Sequence, residues 1–149
     1  ARLGLTQKQM KDLYWSGLLH DIGKILVSPD IVNKPGRLTI QEYEAIKKHP
    51  VYGYEVLNKS DQLKDVALYI KHHHERWDGN GYPNGLKEEE IPLISRIIAI
   101  ADSWDAMRTD RSYRKGLSTS QAIKEMKENS GKQFDPEILE VFLRMMSEE

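Results

Sequence analysis

The chain has 149 residues, 39% of them hydrophobic and 30% charged, which suits one domain with a real core. A net charge of −1 excludes a bulk basic field for long nucleic acid, and the absence of cysteine excludes disulfides, thiolate metal sites and cysteine nucleophiles. The longest apolar run, within residues 96–104, is far short of a membrane span.

In chain order, Thr6-x-x-Gln9 is a capping box that predicts a helix over 7–21. It runs into SGLLHDIGK (16–24), which carries His20, Asp21 and Lys24. ILVS (25–28) is the single short candidate for a strand. A second capping box, Thr39-x-x-Glu42, opens a helix over 40–48, with His49 at its end before Pro50. Further helices are expected over 51–58 and, from Asp61, over 62–74. Ile91-Pro92 starts a helix over 92–108, Ser118-x-x-Gln121 caps one over 119–129, and Asp135-Pro136 caps one over 136–147. The expectation is a single all-α domain of about seven helices over 1–149, with informative loops at 75–91 and 109–117.

Residues 72–85 read HHHERWDGNGYPNG, so three of the five histidines stand in a row. On helix 62–74, Leu63, Val66, Ala67 and Ile70 form one apolar face. His73 and His74 continue that face three and four residues beyond Ile70, while His72 is expected to point away, along the Leu68 side. Asp102 lies three and four residues beyond Ala99 and Ile98, and Asp105 is expected on the same inward face. An inward carboxylate is costly unless paired or metal-bound. His20, Asp21, His49, His73, His74 and Asp102 are thus directed into one interior, as in a two- or three-metal site. Without thiolates, such a site suits iron, manganese, zinc or magnesium. A helical bundle with scattered polar core groups is the plainer alternative.

HDIGK (20–24), NKPGRLT (33–39), HP (49–50), HHE-x-x-DG-x-GYP (73–83), D-x-x-DAM-x-x-x-R-x-YR (102–114) and QFDP (133–136) occur in that order. The set closely resembles the HD-GYP family, the cyclic di-GMP phosphodiesterase branch of the HD metal-dependent phosphohydrolases. The resemblance implies an HD-domain helical bundle with two or three divalent ions, iron or manganese. It makes His20, Asp21, His49, His73, His74 and Asp102 the metal ligands, with Asp21 bridging and Lys24 near the scissile phosphate. Gly81, Tyr82 and Pro83 form the loop that names the family, and Tyr82 is expected to stack on a base. Arg111 and Arg114 match positions that hold the dinucleotide's phosphate or guanine.

The family's pattern begins with a Glu and a His on a helix upstream of HDIGK, whereas this sequence opens on ARLGLTQKQM. An N-terminally truncated domain is therefore expected, with apolar surface bared near Leu13, Leu18 and Leu19 that would favour a homodimer. The resemblance further implies cyclic di-GMP as substrate and pGpG or GMP as product. It also implies an upstream sensor or receiver domain, a diguanylate cyclase partner at the GYP loop, and a cytoplasmic location. Two other readings compete: a different HD-type nucleotide phosphohydrolase, and a non-catalytic module that binds a diguanylate cyclase.

Overall fold

The computed structural model describes residues 3–110 and 115–147. Arg111 and Arg114 lie outside the described residues. The helices are α1 (Gln7–Leu19), α2 (Pro29–Val32), α3 (Ile40–Ile46), α4 (His49–Leu57), α5 (Lys64–Lys71), α6 (Leu93–Arg108), α7 (Thr119–Glu128) and α8 (Pro136–Ser147). Short 3-10 turns occupy Ile22–Leu26, Asp61–Leu63 and Glu88–Glu90. Among the described residues the only β-type pairing is an isolated bridge between Ser130 and Phe134, so the all-α expectation holds.

Local chemistry sets most of the helix starts. Gln9 N–H donates to Thr6 Oγ1 at 3.1 Å and Thr6 N–H to Gln9 Oε1 at 2.9 Å. The same reciprocal pairs join Thr39 with Glu42 and Ser118 with Gln121. At α8, Asp135 Oδ1 accepts from the backbone N–H of Glu137 and Ile138, and its Oδ2 takes Arg96 Nη1 of α6 at 2.7 Å. One buried carboxylate therefore caps α8 and ties it to α6.

Three sequence expectations are corrected. Residues 25–28 form no strand; the chain winds into the 3-10 turn Ile22–Leu26, in which Lys24 N–H donates to Asp21 O and Val27 N–H to Lys24 O. Ile25 and Leu26 stay exposed there, with no strand alongside to pair with them. His49 opens α4 rather than closing the preceding helix, because Pro50 is tolerated in a first helical turn. And α5 stops at Lys71, so residues 72–74 form a turn instead of a last helical turn.

Two apolar clusters support the molecule. Ile100, Met126, Phe134, Ile138, Leu139 and Leu143 join α6, α7 and α8. Leu57, Val66, Ala67 and Ile70 join α4 and α5, with Leu19 and Ile22 packed on them. The turn Ile22–Leu26 crosses α4 so closely that a Cβ on Gly23 would lie 1.8 Å from His49 O. Only glycine permits this crossing, and it sets the end of α1 beside the start of α4. Leu18 is exposed, and Leu13 lines an apolar groove of about 340 Å³ with Leu3, Ile97 and Phe142.

Candidate metal centre and its adjoining loop

The ends of three helices and the middle of a fourth meet at one place. His20 and Asp21 follow α1, His49 opens α4 just beyond α3, His73 and His74 follow α5, and Asp102 projects from α6. The structure gathers these into two groups, His49–His73–His74 and His20–Asp21–Asp102; within each, one donor atom per residue lies within 4.8 Å of the others. Asp21 joins them: its Oδ2 is 3.2 Å from His20 Nε2 and its Oδ1 is 3.4 Å from His49 Nε2. His20 Nε2 also lies 3.2 Å from Asp102 Oδ1. Lys24 Nζ stands 3.4 Å from Asp21 Oδ2.

Three of the histidines are aimed by the same device. His20 Nδ1 lies 2.7 Å from Gly17 O, His49 Nδ1 2.7 Å from Ile46 O, and His73 Nδ1 2.5 Å from Ile70 O. Each carbonyl is in the last turn of a helix, where it has no intrahelical partner. A ring that donates from Nδ1 to such a carbonyl presents Nε2 to the site. His49 Nε2 and His73 Nε2 then face each other at 3.4 Å in a buried space. Two ring nitrogens that face each other so closely need a proton or a metal cation between them. The C-terminal ends of α1, α3 and α5 add negative dipole ends on the same side. This donor set of nitrogen and carboxylate oxygen fits a divalent transition metal.

The ionisation states agree with that fit. Burial, reinforced by neighbouring His74, holds His73 well below the usual imidazole range. Burial and then His49 lower His74 to about 3, so both rings are neutral at pH 7. Burial acts to raise Asp21, but the hydrogen bonds from His20 and His49 outweigh it and leave it well below the usual carboxylate range. Asp102 likewise ends below its ordinary value, where burial is overridden by His20. His20 moves the other way, pushed up to about 10 by Asp102 and then Asp21, so a proton is shared where a metal would displace it.

One inward placement expected from spacing differs. Asp105 is exposed and accepts from Thr109 Oγ1 at 3.4 Å, so the inward stripe of α6 ends before it. His72 stays outside the donor cluster, as expected. It is buried, and its Nδ1 pairs with Glu75 Oε2 at 2.9 Å.

Glu75 organises the loop after the histidines. Its fully covered carboxylate accepts from the backbone N–H of Asn84 at 3.0 Å and of Leu86 at 3.1 Å, as well as from His72. Asp78 pairs with Arg76 and accepts from Asn80 N–H, and Trp77 N–H donates to Gln133 O. Tyr82 N–H reaches His74 O at 3.3 Å, and the Tyr82–Pro83 peptide is cis. Gly81 is needed for close approach rather than for a positive φ: an added Cβ would lie 2.4 Å from Arg76 N and 2.5 Å from His74 O. We expect Gly81→Ala to destabilise by about 1–3 kcal/mol, as overpacking does. A thermal melt should show it as a drop of roughly 2–4 °C per kcal/mol; an unchanged melting temperature would contradict the packing.

Beside His74 opens a polar cavity of about 410 Å³ lined by Tyr43, Lys47, His74, Arg76, Asn80 and Tyr82, among others. Gly81 also lines it. Tyr43 and Lys47 were not foreseen. The signal was their i,i+4 spacing on the helix that ends just before His49, so that one α3 face borders the site.

An all-helical bundle whose helix ends present paired His and Asp donors offers a candidate metal centre. The chain belongs to the HD domain family, whose model matches residues 1–138. It is 41% identical over 148 residues to a protein of Thermotoga maritima named cyclic di-GMP phosphodiesterase, covering 98% of this chain and 40% of that protein. A Vibrio cholerae protein named 3'3'-cGAMP-specific phosphodiesterase 2 is 40% identical over 97% of this chain and 28% of its own length. The crystal structure of a cyclic GMP-AMP-specific phosphodiesterase from V. cholerae superposes with a TM-score of 0.73 at 25% identity, covering 99% of this chain and 40% of that one. The chain thus spans well under half the length of these relatives. No helix among the described residues is long and apolar enough to cross a membrane.

Proposed function

We propose that this domain is a metal-dependent phosphodiesterase that hydrolyses cyclic di-GMP to pGpG, GMP or both in bacterial second-messenger signalling. The observation that carries the reading is the meeting of six His and Asp donors in two linked groups. His49, His73 and His74 would hold one ion and His20, Asp21 and Asp102 another, with Asp21 shared. Two or three divalent ions held there, iron or manganese, supply a water made acidic enough to react at neutral pH and offset charge on phosphoryl oxygens.

The chain's own residues do the rest. Asp21 holds the two donor groups in register through His20 and His49. Lys24, half-exposed beside Asp21, is placed to neutralise a non-bridging phosphate oxygen. The cavity beside His74 gives room for the nucleotide body; Gly81 and Tyr82 line it, and Pro83 follows them in the substrate-binding loop of this reading. Arg111 and Arg114 would add bidentate contacts to phosphate or a guanine edge. The reading also includes a cytoplasmic location, an upstream sensor or receiver domain and a diguanylate cyclase partner at the GYP loop.

The name of the T. maritima relative supports cyclic di-GMP, while the V. cholerae relative and structure favour 3'3'-cGAMP as the second reading. The test is to give the manganese- or iron-loaded protein each dinucleotide separately and separate the products by chromatography. Linear pGpG or GMP from cyclic di-GMP is expected. Turnover of 3'3'-cGAMP alone would install the second reading, and no turnover of either would sink both.

A further inference from the structure

We infer that Tyr82 is a positioning residue for His74, holding by ring stacking the cluster histidine that, among the described residues, has no backbone carbonyl to aim it. The inference rests on the proposed reading only in taking His74 as a metal ligand. His20, His49 and His73 each have Nδ1 on a helix-end carbonyl, at 2.7, 2.7 and 2.5 Å. Among the described residues His74 has no such bond. Its ring instead lies against Tyr82 with centroids 5.1 Å apart and planes 21° from parallel, a stacked geometry. His73 and His49 touch it in tilted and edge-on arrangements, at 4.1 and 5.0 Å.

Tyr82 is itself fixed. Its N–H donates to His74 O, so ring and backbone of one residue both meet the other. Gly81 lets the strand of loop lie on Arg76 N and His74 O, where any side chain would push it away. Glu75 fastens the following segment through Asn84 and Leu86. Lys47 reaches over from α3 with Nζ 5.1 Å from the Tyr82 centroid and 5.6 Å from that of Tyr43. An ammonium over two ring faces favours this arrangement. The Tyr82 ring is therefore already engaged by a histidine and a lysine, which is a different task from the base platform that the sequence alone suggests. Groups that orient a metal ligand without touching the metal typically change affinity by about 10–100-fold when removed.

The experiment compares the unsubstituted protein with Tyr82→Phe and Tyr82→Leu by cobalt(II) titration, read from the visible absorption of the bound ion, alongside a metal-free thermal melt. The inference expects Tyr82→Phe to keep cobalt affinity within about threefold, because the stack survives. Tyr82→Leu should weaken it by about 10–100-fold and alter the cobalt spectrum. Leucine binding cobalt as tightly as tyrosine, or phenylalanine binding as weakly as leucine, would overturn it. Should the leucine variant fail to fold, ring-proton NMR of the unsubstituted metal-free protein still decides. His74 ring protons must show contacts to the Tyr82 ring, and their absence refutes the stack. Catalytic turnover is not the readout, so an inactive protein would sink the phosphodiesterase reading while leaving this one to be judged on its own result.

Discussion

Replacing Asp21 with Asn will lower dinucleotide turnover by at least about 10²–10³-fold, the range seen when one preorganised electrostatic contact to a reacting group is lost. The reasoning starts from position. The Asp21 carboxylate joins the two donor groups by polar contacts to His20 and His49, and it also holds Lys24 at 3.4 Å. Asparagine keeps the shape and removes the charge that compensates these cations. The metal content of the purified variant, measured by elemental analysis, should fall alongside activity. Full metal content with full activity would show that Asp21 is merely a surface-facing partner of His20.

The second large effect separates the neighbours His73 and His72. His73→Ala should weaken metal binding by more than about 100-fold, beyond the range for groups that only orient a ligand. His73 is nearly inaccessible, its Nε2 faces that of His49, and its neutral state at pH 7 leaves it ready to bind. His72→Ala should leave metal affinity near that of the parent but cost stability. It strips one partner from the buried Glu75 carboxylate, and a hydrogen bond to a charged group is worth about 1.5–3 kcal/mol. Isothermal titration with manganese and a denaturant curve for each variant would separate the two. Equal losses of metal affinity in both would refute the division of labour.

The capping boxes were legible because their chemistry is local: three or four residues contain all the partners. The apolar stripe Val66–Ala67–Ile70 was legible for the same reason, as helical spacing writes it directly into the sequence. What spacing got right about His73 and His74 it got right by a route the chain does not take. The helix stops at Lys71, and a turn delivers both rings to the site. The fate of His72 was hidden because it depends on Glu75, whose other partners are backbone N–H groups 9 and 11 residues further on. Asp105 misled because the helical face that is buried at Ile98 is exposed at Asp105, a change that spacing does not record. Lys47 and Tyr43 carried a signal only in their i,i+4 spacing, which gained its meaning once that stretch was seen to border the cavity.

The buried Glu75 has one more consequence, for anyone who would exchange parts between such domains. The loop 75–86 is fastened from inside, by a carboxylate that belongs to the same HHHE run as the two cluster histidines. It is not an interchangeable tip on a fixed scaffold. A graft that takes only the Gly-Tyr-Pro segment would leave its clasp behind, and the imported residues would have nothing to hold their ends at Asn84 and Leu86. The smallest transferable piece runs from His72 to Leu86, so donor histidines and signature loop must travel together.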